Sequence, residues 1–409
     1  MKMKRTWFSG LIGKLIAMLL VINTLASLQV YAAVTPVKRN VTVNGTVAEQ
    51  KELRGVWFSY IDWSEMPSDV EAFKKRADQV MADIKNRGMN AIFCHVHSHS
   101  DSYGQKLKSF PLSKFMVTKD SSADFDPLEY MIESAHKQGL SFHAWVNPYR
   151  VTNSMMKNIP DNSIVKQWMG DPSKQRNVLL HDGSYYLNPS SAEVRSYLVN
   201  SISEICKNYA VDGIQFDDYF YPTLGSNYAS KFDSDEYNDY KSNTSNPLSI
   251  ADWRRNNINK MVKMVYATVK KSGKNRTFGI SPAGNLNNLR ANDKYYVDID
   301  RWGRESGYVD YIAPQLYWGF EHNICPYEQT INNWIATVIN PNVKLYIALP
   351  MHLAQAQETS EWKNNHDILG RMVTSLRNKS LTGFSVYRYD YMTPAFLRKT
   401  GAIDEYNYL

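Results

Sequence analysis

Eight short apolar runs recur along the chain, and stretches with helical periodicity separate them. The runs are LRGVWFSYI (53–61), MNAIFCHVH (89–97), LSFHAWVNP (140–148), GIQFDDYF (213–220), TFGISPAG (277–284), DYIAPQLYW (310–318), VKLYIALPM (343–351) and LTGFSVYRY (381–389). Strands that alternate with helices must lie parallel, because each helix returns the chain to the same end of the sheet. Eight such units close a (β/α)8 TIM barrel, so the expected fold class is α/β with a single barrel domain. An open doubly wound sheet is the competing arrangement. No glycine-rich nucleotide turn follows the first run, which counts against it.

Helices are expected over 70–88, 127–139, 191–209 and 252–273, with Gly88, Gly139 and Gly273 at their C-terminal stops. Further helices are expected over 292–305, 327–338 and 361–377. Two connections are long, 150–190 after the third strand and 221–251 after the fourth. Both lie on the strand-to-helix side, where barrels of this kind build their sites. The first contains VLLHDGSYYLN, which reads as a hairpin about an Asp-Gly turn.

Side chains alternate along a strand, so parity sorts each run into a face under the helices and a face toward the axis. In the fourth run Ile214 and Phe216 share the apolar face; Gln215, Asp217 and Tyr219 share the other. The same sorting sends Trp57, His95, His97, His143, Trp145, Asn147, Gln315, Tyr317, His352, Ser385 and Tyr387 toward the axis. Polar groups thus collect at the C-terminal ends of many strands. Asp218 should point away from Asp217 unless the strand has ended or bulged there.

Carboxylates set among aromatics, amides and imidazoles suit a sugar. Trp and Tyr faces stack on pyranose rings, and a carboxylate serves as acid, base, nucleophile or stabiliser of charge at the anomeric carbon. Asp217 is the expected principal carboxylate, as nucleophile or oxocarbenium stabiliser. Asp218 is the expected acid/base or orienting partner, with Asp101, Glu305 and Asp390 as other candidates. His95-Val-His97-Ser-His99 offers a rival reading as a metal-dependent hydrolase, with His143 and His352 as further ligands. No second paired ligand motif supports it, and no cofactor is expected.

Several segments together resemble the glycosyl-hydrolase-like family 10, a group of exported bacterial barrels. They are LRGVWFS (53–59), DPLEYMIESAHKQGLSFHAWVNPYR (126–150), YLNPSSAEVR (186–195), VDGIQFDDYFYP (211–222), FGISP (278–282) and VDYIAPQLYW (309–318). The resemblance implies a glycosidase acting on a bacterial polysaccharide, with peptidoglycan glycan strands stripped of peptides as the expected substrate. It places Asp217 and Asp218 on the family's paired aspartates, Asn147, Tyr149 and Arg150 on its third-strand motif, and Gln315, Tyr317 and Trp318 on its sixth. His97 stands where the family often has an Arg, and AGNLNN follows FGISP where an aromatic run is common. The DGIQFD segment also resembles glycoside hydrolase family 18, but Tyr219 stands where that family's Glu acid would be. A barrel that binds glycan as a lectin, without turnover, is the alternative from a different class.

The first 32 residues read as a signal peptide: a basic head of Lys2, Lys4 and Arg5, an apolar stretch, and VYA ending at Ala32. Residues 33–50 read as a polar tether and 51–409 as the barrel. The expected product is secreted or wall-associated, with no membrane span after cleavage. The formal net charge of +7 becomes +3 without the leader, since 1–32 holds four Lys or Arg and no acid. That balance gives little case for a nucleic-acid partner. Cys94, Cys206 and Cys325 are few and far apart, which excludes a disulfide scaffold and favours free thiols.

Overall fold

The computed structural model describes residues 52–116 and 125–393; the expected leader and tether lie outside the described residues. Its strands, in chain order, are β1 (Leu53–Phe58), β2 (Ala91–His97), β3 (Ser141–Val146), β4 (Val178–His181), β5 (Ser184–Leu187) and β6 (Gly213–Phe216). They continue as β7 (Thr277–Ile280), β8 (Tyr311–Ile312), β9 (Lys344–Leu345), β10 (Ile347–Leu349) and β11 (Gly383–Val386). All but β4 and β5 form one parallel sheet in the order β10-β11-β1-β2-β3-β6-β7-β8-β9. β9 and β10 are two pieces of one run, parted at Tyr346, so the ring closes as a barrel rather than an open sheet.

Local chemistry fixes the surrounding helices. Val70–Asn86, Pro127–Lys137, Ala192–Asn208 and Ile250–Ser272 each begin under a side-chain cap, from Asp69, Asp126, Ser191 and Ser249 respectively. Gly88 (φ 76°) and Gly139 (φ 67°) take the left-handed conformation that ends a helix. The first strand stops at Phe58 rather than Ile61, because Ser59 and Asp62 form a capping box that starts a helix over Tyr60–Ser64. The expected helix over 292–305 is reduced to Ile299–Trp302, with a separate turn at Leu286–Arg290. Tyr295 and Tyr296 adopt left-handed backbone there, Tyr295 pairing with Tyr221 and Tyr296 accepting from Arg254, so tertiary contacts override propensity. The stretch over 361–377 is likewise broken into Ser360–Asn364 and Ile368–Asn378.

Two separate cores follow from strand parity. Val56, Phe58, Ile92, Cys94, Phe142, Ala144, Ile214 and Phe216 belong to the large core under the helices. Trp57, Phe93, Trp145, Tyr311, Ala313 and Tyr346 form a smaller core inside the ring. Glycines on other strands make room for these rings: a Cβ on Gly55 would overlap Phe93, and one on Gly279 would overlap Tyr311. The axial layer is therefore packed, and the ends of the strands beyond it form the C-terminal mouth. The three cysteines are free and buried.

Candidate active site

The fourth barrel strand, β6, ends at Phe216, so Asp217 and Asp218 follow it rather than alternate along it. That is why the strict parity expectation fails for Asp218 and both carboxylates serve the mouth. Asp217 is buried; its Oδ2 accepts from Trp145 Nε1 at 2.9 Å and Asn147 Nδ2 at 3.3 Å. Its Oδ1 accepts the Tyr219 backbone N–H at 3.2 Å. Asp218 is half-buried and accepts from Gln315 Nε2 at 3.2 Å, from beyond β8, two strands along the sheet. Gln315 is itself fixed by a second bond to Ser281 O at 3.1 Å.

Burial raises both carboxyls. Asp217 is pushed up to about 7, by loss of solvent first and by the charge of Asp218 second. Asp218 is raised by burial, while Gln315 and the positive charge of Arg150 oppose the shift. Neighbours this close titrate as a pair, each raising the other's hold on its proton. Trp145, Asn147 and the Tyr219 N–H converge on Asp217, while Asp218 is held by a backbone hydrogen bond and the Gln315 amide, so each carboxyl has donors that oppose the effect of burial.

The second and third strands supply one wall. His95 stacks on Trp145, centroids 3.3 Å apart, and its Nδ1 accepts the Tyr60 backbone N–H at 3.0 Å. Asn147 Oδ1 accepts the Arg150 backbone N–H at 3.1 Å, tying the third-strand motif into a turn. The Arg150 guanidinium lies 4.0 Å over the Tyr219 ring and forms no ion pair among the described residues, so it is not a salt-bridge partner of Asp217. The opposite wall is aromatic: Tyr317, Tyr387 and His352 pack mutually with centroids 5.1 to 5.8 Å apart. His352 stands on the helix Met351–Ala356, not on the seventh strand, because the strand ends at Leu349. Trp318 lies beyond Tyr317, with Gly284 close beneath it.

Several expected residues fall elsewhere. A bulge between His95 and His97 breaks the parity of β2, and His97 bonds Asp101 O at 2.6 Å and packs on Phe110. Trp57 belongs to the axial core and donates to Ser385 Oγ at 2.9 Å, forming floor rather than wall. Tyr149 is buried against Phe220. Asp101 accepts the backbone N–H groups of Ser98 and His99, holding its own loop. Asp390 is paired with Arg388, and Glu305 is exposed beside Arg301 in the connection that leads into β8, away from the mouth. No three His, Cys, Asp or Glu among the described residues are grouped to hold a metal ion, so the histidine-ligand reading finds no donor set there.

Sequence reasoning missed two supports. Asp233 and Arg254 form a fully buried ion pair at 2.7 Å, and Tyr221 donates to the same carboxylate at 2.7 Å. They pin the long connection after β6 to the helix that follows it. Glu361 accepts the backbone N–H groups of Phe320 and Glu321 at 2.6 and 3.2 Å, fixing the loop that follows Trp318. No sequence spacing announces either.

A parallel barrel with paired carboxylates and an aromatic wall at its C-terminal mouth is the arrangement of a glycoside hydrolase. The chain belongs to the glycosyl hydrolase-like 10 family, whose model matches residues 52–364. It is 31% identical over 359 residues to glycosyl hydrolase YngK of Bacillus subtilis (strain 168), covering 82% of this chain and 68% of that one. It is 31% identical over 367 residues to glycosyl hydrolase DigH of Escherichia coli (strain K12), covering 83% and 82%. Among solved structures it is similar to the PgaB (BpsB) glycoside hydrolase domain of Bordetella bronchiseptica. The TM-score is 0.57 at 14% identity, over 85% of this chain and 98% of that one, a likeness of fold alone.

Proposed function

We propose that this glycoside hydrolase acts outside the cytoplasm on peptidoglycan glycan strands that have lost their peptides. Asp217 holds the negative charge that stabilises the anomeric carbon, and Asp218 carries the proton for the leaving oxygen. The observation that carries this reading is the setting of Asp217: buried, held by three donors, and beside a second carboxyl that is also raised. Tyr317, Tyr387 and Trp318 offer faces on which sugar rings stack. The leader-like first 32 residues and the family resemblance support an exported enzyme working on the wall.

The test is reducing-end release by the purified mature protein on peptide-free strands and on chitooligosaccharides, beside Asp217→Asn. Wild type should form product, and the variant should lose about 10³-fold or more in kcat. Equal rates would remove Asp217 from the chemistry. Product from chitooligosaccharides alone would remove the peptidoglycan assignment. For export, mass spectrometry of the secreted protein should find an N-terminus at Ala33; an intact leader would overturn it.

A further inference from the structure

Three arginines among the described residues are almost wholly withdrawn from solvent: Arg150, Arg254 and Arg388. Two have counter-ions. Arg254 donates from Nε to Asp233, and its Nη atoms reach Tyr228 O, Lys231 O and Tyr296 Oη at 2.9 to 3.0 Å. Arg388 is flanked by Asp62 and Asp390. Arg150 has no such partner. Its Nη2 makes one long bond, 3.4 Å, to Ser98 O, and its Nε has none. Asp217 and Asp218 feel its charge only from beyond ion-pair distance, and a buried guanidinium without a contacting counter-ion is costly to maintain.

His95 presents a second orphan donor on the same wall. The Tyr60 N–H occupies Nδ1, and burial together with the charge of Arg150 keeps the ring neutral. The ring proton therefore resides on Nε2, which is buried and has no acceptor. A sugar hydroxyl would satisfy either donor but would leave the guanidinium without a counter-ion in contact. A carboxylate answers both needs.

We propose that Arg150, assisted by His95, receives a carboxylate borne by the sugar beside the scissile bond. This rests on the reading above, in which that group is the free lactyl carboxylate of a muramic acid residue. Where a peptide is still attached the group is an amide and carries no charge, so Arg150 selects for strands already stripped. Arg150 is then a specificity residue, not merely a charge that tunes the aspartates.

The experiment compares wild type on peptide-free strands with free lactyl carboxylates and on the same strands after methyl esterification. Esterification should lower kcat/KM roughly 10- to 100-fold, mainly through KM, the worth of one charge-assisted bond. In Arg150→Gln the ratio between the two substrates should collapse toward one. Equal cleavage of both by wild type would overturn the proposal and leave the substrate reading standing. So would an Arg150→Gln enzyme that kept the wild-type ratio. Cleavage of neither, with chitooligosaccharides still cut, would overturn both. The wild-type comparison needs no variant to fold.

Discussion

Replacing Asp217 with Asn should move activity and stability in opposite directions. Turnover falls because the charge at the anomeric carbon is lost. Stability should rise, because the wild-type fold must ionise a buried carboxyl whose ordinary value of 3.8 is pushed up to about 7. The folded state holds its proton more tightly than the unfolded one, so wild-type stability is eroded as pH climbs between those values. The gain in Tm of Asp217→Asn over wild type should thus be near zero at pH 4, grow through neutral pH and level off above 7. A gain independent of pH in calorimetry would contradict this assignment. Gln315 tests the partner. Its amide lowers Asp218, so in Gln315→Ala the alkaline limb of the kcat/KM profile, where the general acid loses its proton, should shift to higher pH. An unmoved limb would show that Asp218 is not the group titrating there.

The connection after β6 shows how an element depends on residues far from it in sequence. Arg254 sits on the helix Ile250–Ser272, yet it holds Asp233 and two loop carbonyls on the connection, and Tyr296 further along the chain. Arg254→Ala would leave Asp233 buried with Tyr221 as its one remaining donor, and should cost about 3–5 kcal/mol in denaturant unfolding. Limited proteolysis should then cut first within 221–251; cleavage elsewhere would argue that the pair does not hold this loop. The pair was not legible beforehand, since residues twenty-one apart in different elements show no period. The hairpin in the preceding long connection was legible, because its turn is local. Asp182 (φ 45°) and Gly183 (φ 72°) adopt the double left-handed turn that Asp-Gly favours between β4 and β5. Histidine placement lay between these cases: parity located His95 correctly, and one bulged residue redirected His97.

At the scale of the molecule, the alternation of apolar runs with helical stretches was enough to read the barrel. Each run needs only its neighbours to define it, and closure follows from their number. Sequence could not show where each strand would stop, and the candidate site depends on that: Asp217 and Asp218 escape the alternation of the strand because β6 ends at Phe216. Nor could it show which aromatics fill the interior. Gly55→Ala should destabilise by about 1–3 kcal/mol through overlap with Phe93, and adding Phe93→Leu should recover part of the loss. Strict additivity in that double-mutant cycle would mean the two residues do not share space. The same filling of Trp57, Phe93, Trp145, Tyr311 and Tyr346 stoppers the ring from beneath. Such a vessel has one doorway. A saccharide cannot thread it like a bead on a string; it must reach the aspartates from the rim and leave by the path it came.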